Sequence, residues 1–506
     1  MMARPGFVLE VDDKTPPIMA PAGAELRLER LGIGTRVVYP ADAVPSSDPA
    51  ALIDSALTAP LNAEALASRL REDTKLTIVI ADGGLPLPRP QFDPRRTLVE
   101  RVLETAARAG VDDVELVVAN GLRQRWSPTQ ITAVLGDRVA SSFLPDGLIT
   151  SHDVTSEDLV TIGEAAGGPV RLNRRVAESD LVVVIALASG FSSGCPLSEG
   201  LTDLGTVNRM AGANATEEAR TAVEELVQQK VDAFALVAVL GQPLLSSNMR
   251  FVSKREWEWN LGDKLAYAGA RQVIGALPRN GASLVHSRMA ADYAIIDVVA
   301  GEPTAVRHDA ALVWQAGNSV EVQGAADVLV VPVWGAAIEE GPIGSPLDAA
   351  HHALVTAAGS HLGTPYVRPG GVVIAFHPLS NKFSNRRQSA GADFFATVLP
   401  ASTDPAEIAA EFEPRAISDD WYINLYRKQF AHHPLRAFHR WYRTAAATQD
   451  VSDVIWVGAD RRSAALLGHR AASTYADALE IAADEVGRQP DITFLRGPGL
   501  ALGDVR

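Results

Sequence analysis

Asp82 closes a strand-like run and opens a turn, Asp82–Pro90 (DGGLPLPRP), rich in Gly and Pro. A carboxylate there either bonds its own turn or contacts a ligand beyond the strand's end. Arg123, Arg125 and Trp126 fall in Gly121–Ser127 (GLRQRWS), a strand-to-helix connection. Such arginines are either solvated or capture an anion, for which the guanidinium offers a planar fork. Gly190–Gly194 (GFSSG) either cradles an anion on its backbone amides or simply connects two elements. His152-Asp153 reads as an oriented imidazole pair or as a hydrogen-bonded corner. His351 and His352 share a helix but point about 100° apart, which disfavours joint metal ligation. His432, His433 and His439 lie among aromatic residues, and a metal site there needs more convergence. Asn381–Arg387 (NKFSNRR) is the most basic stretch, a solvated loop or an anion clamp. The candidate anion-binding residues are therefore Asp82, Arg123, Ser192, Ser193 and Gly194. The candidates for acid–base work are His152 and His352, and no metal ligand is assigned.

These residues must be positioned by strands and helices that alternate. Leu76–Ala81, Val114–Ala119, Leu181–Leu187 and Ala233–Leu240 are short apolar runs of buried-strand type. Between them the pattern predicts helices at Asn62–Arg71 (capped by Asn62), Arg96–Ala109, Ser127–Leu135 and Thr216–Val231, with Gly110 and Gly136 as stops. An earlier helix is expected over Asp48–Leu57. The rhythm resumes with strands at Tyr293–Val299, Asp327–Val333, Gly371–Phe376, Val454–Val457 and Ile492–Leu495. Helices at Leu347–Ala358, Pro405–Phe412 and Tyr475–Val486 separate several of them. The pattern predicts an α/β fold of mainly parallel sheets covered by helices. Two domains are expected, residues 1–275 and 276–506, with the linker near Leu277–Gly281 and a ligand cleft between them.

Several loops resemble those of the nickel-dependent lactate racemase (LarA) family. Asp82–Pro88 is similar to its Asp-x-Thr-Arg-Pro-x-Pro loop, and Gly121–Ser127 to its Gly-x-His-Arg-x-x-Thr loop. Ser151–Asp153, Leu172–Arg174 with Asp180, and Gly190–Pro196 (GFSSGCP) resemble further elements in the same order. Val331–Gly335 and Pro369–Gly371 fit less specifically. The resemblance implies racemisation or epimerisation of a 2-hydroxy acid, an isomerase activity. It also implies a nickel-pincer nucleotide tethered to a lysine, a histidine on the metal, and two acid–base histidines. This chain departs at those positions. Pro196 stands for the tethering lysine, Arg209 or Gly212 for the metal histidine, and Arg123 for one acid–base histidine. The other falls near Ala186–Ser189. Leu85 replaces an arginine of the first loop, and His352 with Val355 replaces a Gln-x-x-Lys pair. Arginine stays protonated near neutral pH and cannot abstract a proton. The expectation is a protein that acts on or binds a small 2-hydroxy acid or related carboxylate without the nickel-pincer route and with no cofactor. The alternative is a non-catalytic, anion-binding or regulatory homologue.

Composition narrows the partners. The 506 residues carry a net charge of −15, which disfavours phosphate backbones and anionic membranes as partners. The single cysteine, Cys195, excludes an intrachain disulfide. It reads as a small hydrophobe rather than a nucleophile, because no base adjoins it. No apolar run approaches the roughly 20 residues of a membrane span, and the N-terminus lacks a secretory pattern. A soluble cytoplasmic protein with a small anionic ligand is expected.

Overall fold

The computed structural model describes residues 4–42, 46–83, 88–190, 196–277, 281, 285, 289–337, 339, 345–384 and 386–506. Two seven-stranded sheets form the framework among these residues. The first runs in the order Arg89–Pro90, Ala290–Gly301, Ala233–Leu245, Leu181–Ala188, Leu76–Ala81, Val114–Ala119, Ile149–Ser151. The second runs Phe7–Glu10, Arg36–Tyr39, Ile492–Leu495, Ala326–Pro332, Val367–Phe376, Asp453–Val457, Arg470–Ala472. Most pairings are parallel. The α/β expectation therefore holds.

The strands are apolar on both faces because helices cover both. Leu181, Val183 and Ile185 point into one cluster with Leu76, Ile78 and Ile80. Val182 and Val184 point into another with Val79 and Val117. That second cluster continues through Leu329, Val331 and Val373 of the second sheet, so one apolar core joins both halves. The period-two alternation of side chains makes each strand serve two layers.

The sheets do not divide at residue 275. Ala290–Gly301 lies beyond the expected linker yet pairs antiparallel with Ala233–Leu245, so the first sheet continues across it. Arg36–Tyr39 lies near the start of the sequence but pairs with Ile492–Leu495 in the second sheet. Local periodicity carries no information about such long-range pairing. The expected Asn62–Arg71 helix shrinks to Leu66–Arg69. Asn62 takes a left-handed φ of 50° and caps nothing there. Other caps follow the reading. Ser127 accepts from the Gln130 amide at 3.3 Å at the start of Pro128–Phe143. Gly136, at φ 82°, interrupts the helical backbone where the pattern puts a stop, and a second helical stretch follows the kink.

Candidate functional site

Leu76–Ala81 delivers Asp82 to the carboxyl edge of the first sheet, and neighbouring Val114–Ala119 delivers the loop that holds Arg123 and Trp126. Asp82 is 2% exposed. Its Oδ1 accepts from the Trp126 indole at 2.8 Å and its Oδ2 from Arg123 Nε at 2.9 Å. The Arg95 guanidinium lies 5.2 Å from the Trp126 ring centroid and donates to the Ala81 carbonyl at 2.7 Å. Asp82 is thus a buried acceptor that aims an arginine.

Arg123 reaches across to the second half. Its Nη2 lies 3.0 Å from Glu339 Oε1. Glu339 Oε2 is held by Arg436 and Arg440, which sit one turn apart on helix Leu435–Ala446. Arg440 also pairs with Asp348, and Gln388 donates to that same carboxylate. Burial pushes the Glu339 carboxyl up, but the three guanidinium groups outweigh it and hold it well below the usual carboxylate range. Burial, then neighbouring Arg440, pushes Arg436 down to about 10.

The Gly121–Ser127 connection is docked on the second half by its backbone. The Gln124 amide donates to His432 Nδ1 at 3.0 Å, and the His433 amide to the Leu122 carbonyl at 2.9 Å. Tyr426 Oη donates to the Gly121 carbonyl at 3.0 Å. Beside this junction lies a solvent-open groove of about 610 Å³, bordered by Ser127, Gln130, Phe383, Arg386, Arg387 and Phe430. That volume is in the range of small-ligand sites. Part of the basic stretch Asn381–Arg387 therefore lines the groove. A second, inner cavity of about 20 Å³ is lined by Asp348, Gln388, His433, Arg436 and Arg440. Phe383 and Arg387 line both spaces, so the two adjoin.

The histidines are placed differently. His152 is enclosed, 1% exposed, with Nε2 donating to the Thr202 carbonyl at 2.9 Å. Burial pushes its pKa down to about 4, so it is a neutral structural corner away from the groove. His352 opens a wide π-turn, His352–Ala357, and faces a small cavity of about 40 Å³ at the second sheet's edge with Trp334 and Arg496. Burial, then Arg440, lowers it to about 4. Neither histidine joins Asp82 and Arg123. Leu85, Ser192, Ser193, Gly194 and Cys195 lie outside the described residues. Gly190, at φ 73°, is described, and a Cβ there would fall 2.2 Å from Trp314. Glu339, Asp348, Gln388, Arg436 and Arg440 were not singled out from the sequence. The Arg436/Arg440 spacing of one helical turn was the available signal.

The residues where the resemblance expects cofactor groups do not suit them. Pro196 opens helix Pro196–Leu201 and has no amine. Arg209 donates to the Pro169 carbonyl at 2.6 Å and to Thr206 at 3.1 Å. Gly212 caps helix Leu204–Ala211. Ala186 and Ala188 have no side-chain donor atoms. Among the described residues no three His, Cys, Asp or Glu side chains converge as a metal site would need. No helix among them is long and apolar enough to cross a membrane.

The framework and this junction define a two-sheet α/β protein with charged groups gathered at a strand's carboxyl edge. Residues 31–195 match the family model "Lactate racemase N-terminal domain". The structure of the lactate racemase apoprotein from Thermoanaerobacterium thermosaccharolyticum matches 97% of this chain and 100% of its own, with 16% identity and a TM-score of 0.62. Residues 31–195 are thus similar to a lactate racemase N-terminal domain, and the chain shares the overall fold of that apoprotein. A Thermotoga maritima protein also matches, over 86% of this chain and 94% of its own, with 12% identity and a TM-score of 0.47. No curated protein sequence matches.

Proposed function

We propose that this protein binds a small carboxylate, most simply a 2-hydroxy acid, at the junction of its two halves, without nickel-pincer chemistry. One observation carries the reading: Arg123, fixed by Asp82, meets Arg436 and Arg440 around a single carboxylate beside an open groove. Arginine forks recognise carboxylates through paired N–H donors, and partial burial strengthens them. The lactate-racemase-like fold supplies the substrate class.

A binding rather than catalytic role is favoured by the groups at the junction. Arg123 cannot exchange a proton near neutral pH. Burial lowers His433 to about 3, which removes it as a proton donor there. Glu339 stays ionised. If the chain is active, its acid and base lie elsewhere and its activity is that of an isomerase.

The test is calorimetric titration of the full chain with both lactate enantiomers and larger 2-hydroxy acids, followed by chiral analysis of the ligand. Saturable binding with no inversion supports a binding protein, and inversion establishes an enzyme. Absence of binding by every acid refutes the substrate class. Intact-mass and metal analysis after co-expression with the cofactor-synthesis enzymes checks the second half of the reading. A nucleotide adduct with one nickel per chain would overturn it.

A further inference from the structure

Glu339 is bound as a ligand is bound. Its Oε1 faces Arg123 at 3.0 Å, and its Oε2 faces both Arg436 and Arg440. These three guanidinium groups come from two elements far apart in the chain, the Gly121–Ser127 connection and helix Leu435–Ala446. Counting the groups paired among the described residues, Arg123, Arg436 and Arg440 face Asp82, Glu339 and Asp348, so three positive charges meet three negative ones. Without Glu339 the same group carries one net positive charge, and Arg387 lines the adjoining cavity. His433 lines that cavity too, is 1% exposed, and has an Nε2 with no hydrogen-bond partner among the described residues. The outer groove shares Phe383 and Arg387 with this cavity.

We propose that Glu339 is an internal counter-ligand: its carboxylate stands where the carboxylate of a bound small acid sits, and its charge sets how tightly that acid is held. The inference rests on reading the junction as a carboxylate site and adds what controls it. The physical argument is competition. Two carboxylates brought to the same guanidinium groups repel each other and divide the same N–H donors. A site with its own carboxylate in place binds weakly and rejects acids that cannot displace it. Replacing Glu339 by a neutral isostere leaves the donors and removes the repulsion.

The experiment compares wild type, Glu339→Gln and Glu339→Ala as full chains, with acetate and L-lactate as probes and chloride as the ionic control. Glu339→Gln should bind acetate at least about tenfold more tightly than wild type, because one like charge is gone. Glu339→Ala should gain thermal stability from acetate saturably, and more than Asp348→Ala does. A folded Glu339→Gln that binds acetate no better than wild type overturns the proposal. Should both Glu339 variants fail to fold in plain buffer, refolding is the readout. Recovery in acetate but not in chloride supports the proposal, and no recovery overturns it. The two readings separate cleanly. Wild type that ignores every 2-hydroxy acid while Glu339→Gln takes acetate removes the substrate class alone. Wild-type binding that Glu339→Gln does not tighten removes the counter-ligand alone.

Discussion

At the carboxyl edge of the first sheet, Asp82 and the Gly121–Ser127 connection present paired charges beside a groove open to solvent. At the same edge of the second sheet, Trp334, His377 and Arg496 are at most 5% exposed. The parallel strands beneath are equivalent, and both edges are of the kind where ligands bind. What differs is the cover. The N-terminal segment lies across the second edge, where Gly23 donates to the Val333 carbonyl at 2.8 Å and accepts from Gly335 at 2.7 Å. A Cβ at Gly23, with φ 60°, would fall 2.8 Å from Pro378, so the close approach needs glycine. Glu256 then ties that edge together. It accepts from the Met19 amide at 2.9 Å, Tyr39 Oη at 2.7 Å and Arg496 Nε at 2.7 Å. One edge is sealed by its own chain, and the other borders a groove open to solvent.

The largest expected effect belongs to the sealed edge. Glu256→Ala strands the Arg496 guanidinium, whose side chain is 3% exposed. Leaving a buried charge unpaired costs about 3–5 kcal/mol. Urea unfolding should show that loss, and a loss below about 1 kcal/mol would mean the pair is not what holds the edge shut. Asp82 at the open edge should matter less. Asp82→Ala leaves the buried Trp126 indole without its acceptor and takes one of Arg123's partners, roughly 1–3 kcal/mol by the cost of an unsatisfied buried donor. Asp82→Asn should recover most of it, because an amide oxygen still accepts from the indole. Equal losses in the two variants would show that charge, not acceptance, is what Asp82 supplies.

Acid should also tell on the sealed edge. Burial, then His352, pushes His377 down to about 3 from its ordinary 6.5. Its folded pKa is depressed, so the neutral form is compatible with the fold and the unfolded chain binds the proton first. Stability is fully retained above pH 6.5 and is lost as pH falls from there towards 3. Between about pH 7 and about pH 5 the loss is up to about 2 kcal/mol for this one histidine. His377→Gln should shrink the difference in unfolding free energy between those two pH values by that amount. An unchanged difference would place the acid sensitivity elsewhere.

The sheets were largely legible because their strands are continuous apolar runs. Leu76–Ala81 and Val114–Ala119 begin and end where the residue pattern puts them. So were Asp82 and Arg123, since strand ends followed by Gly-rich turns bring charged residues to one edge, and the two are in contact. Arg36–Tyr39 was not legible as a partner of Ile492–Leu495, because a four-residue run does not say which sheet it joins. Nor was Glu339, whose role exists only when Arg436 and Arg440 arrive from a helix much later in the chain. His352 shows the reverse case. Its type suggested chemistry, but the cavity it faces belongs to the sealed edge.

The smallest expected effect on stability is at Arg123, and it is the one that decides what the open edge is for. The Arg123 side chain is 24% exposed, whereas Asp82 and Glu339 keep other partners in Trp126, Arg436 and Arg440 when it is removed. A partly solvated ion pair with those compensations is worth about 1 kcal/mol or less. Arg123→Ala should therefore unfold in urea close to wild type. Carboxylate binding at the junction should fall at least about tenfold, since the proposed site loses a charge-assisted bond to its ligand. Arg123→Lys keeps the charge but not the fork, so it should regain stability and only part of the affinity. A loss of stability as large as that of Glu256→Ala would make Arg123 a clamp between the halves, as Glu256 is at the other edge. The two edges would then be alike, both closed by buried ion pairs, and the groove would need another purpose.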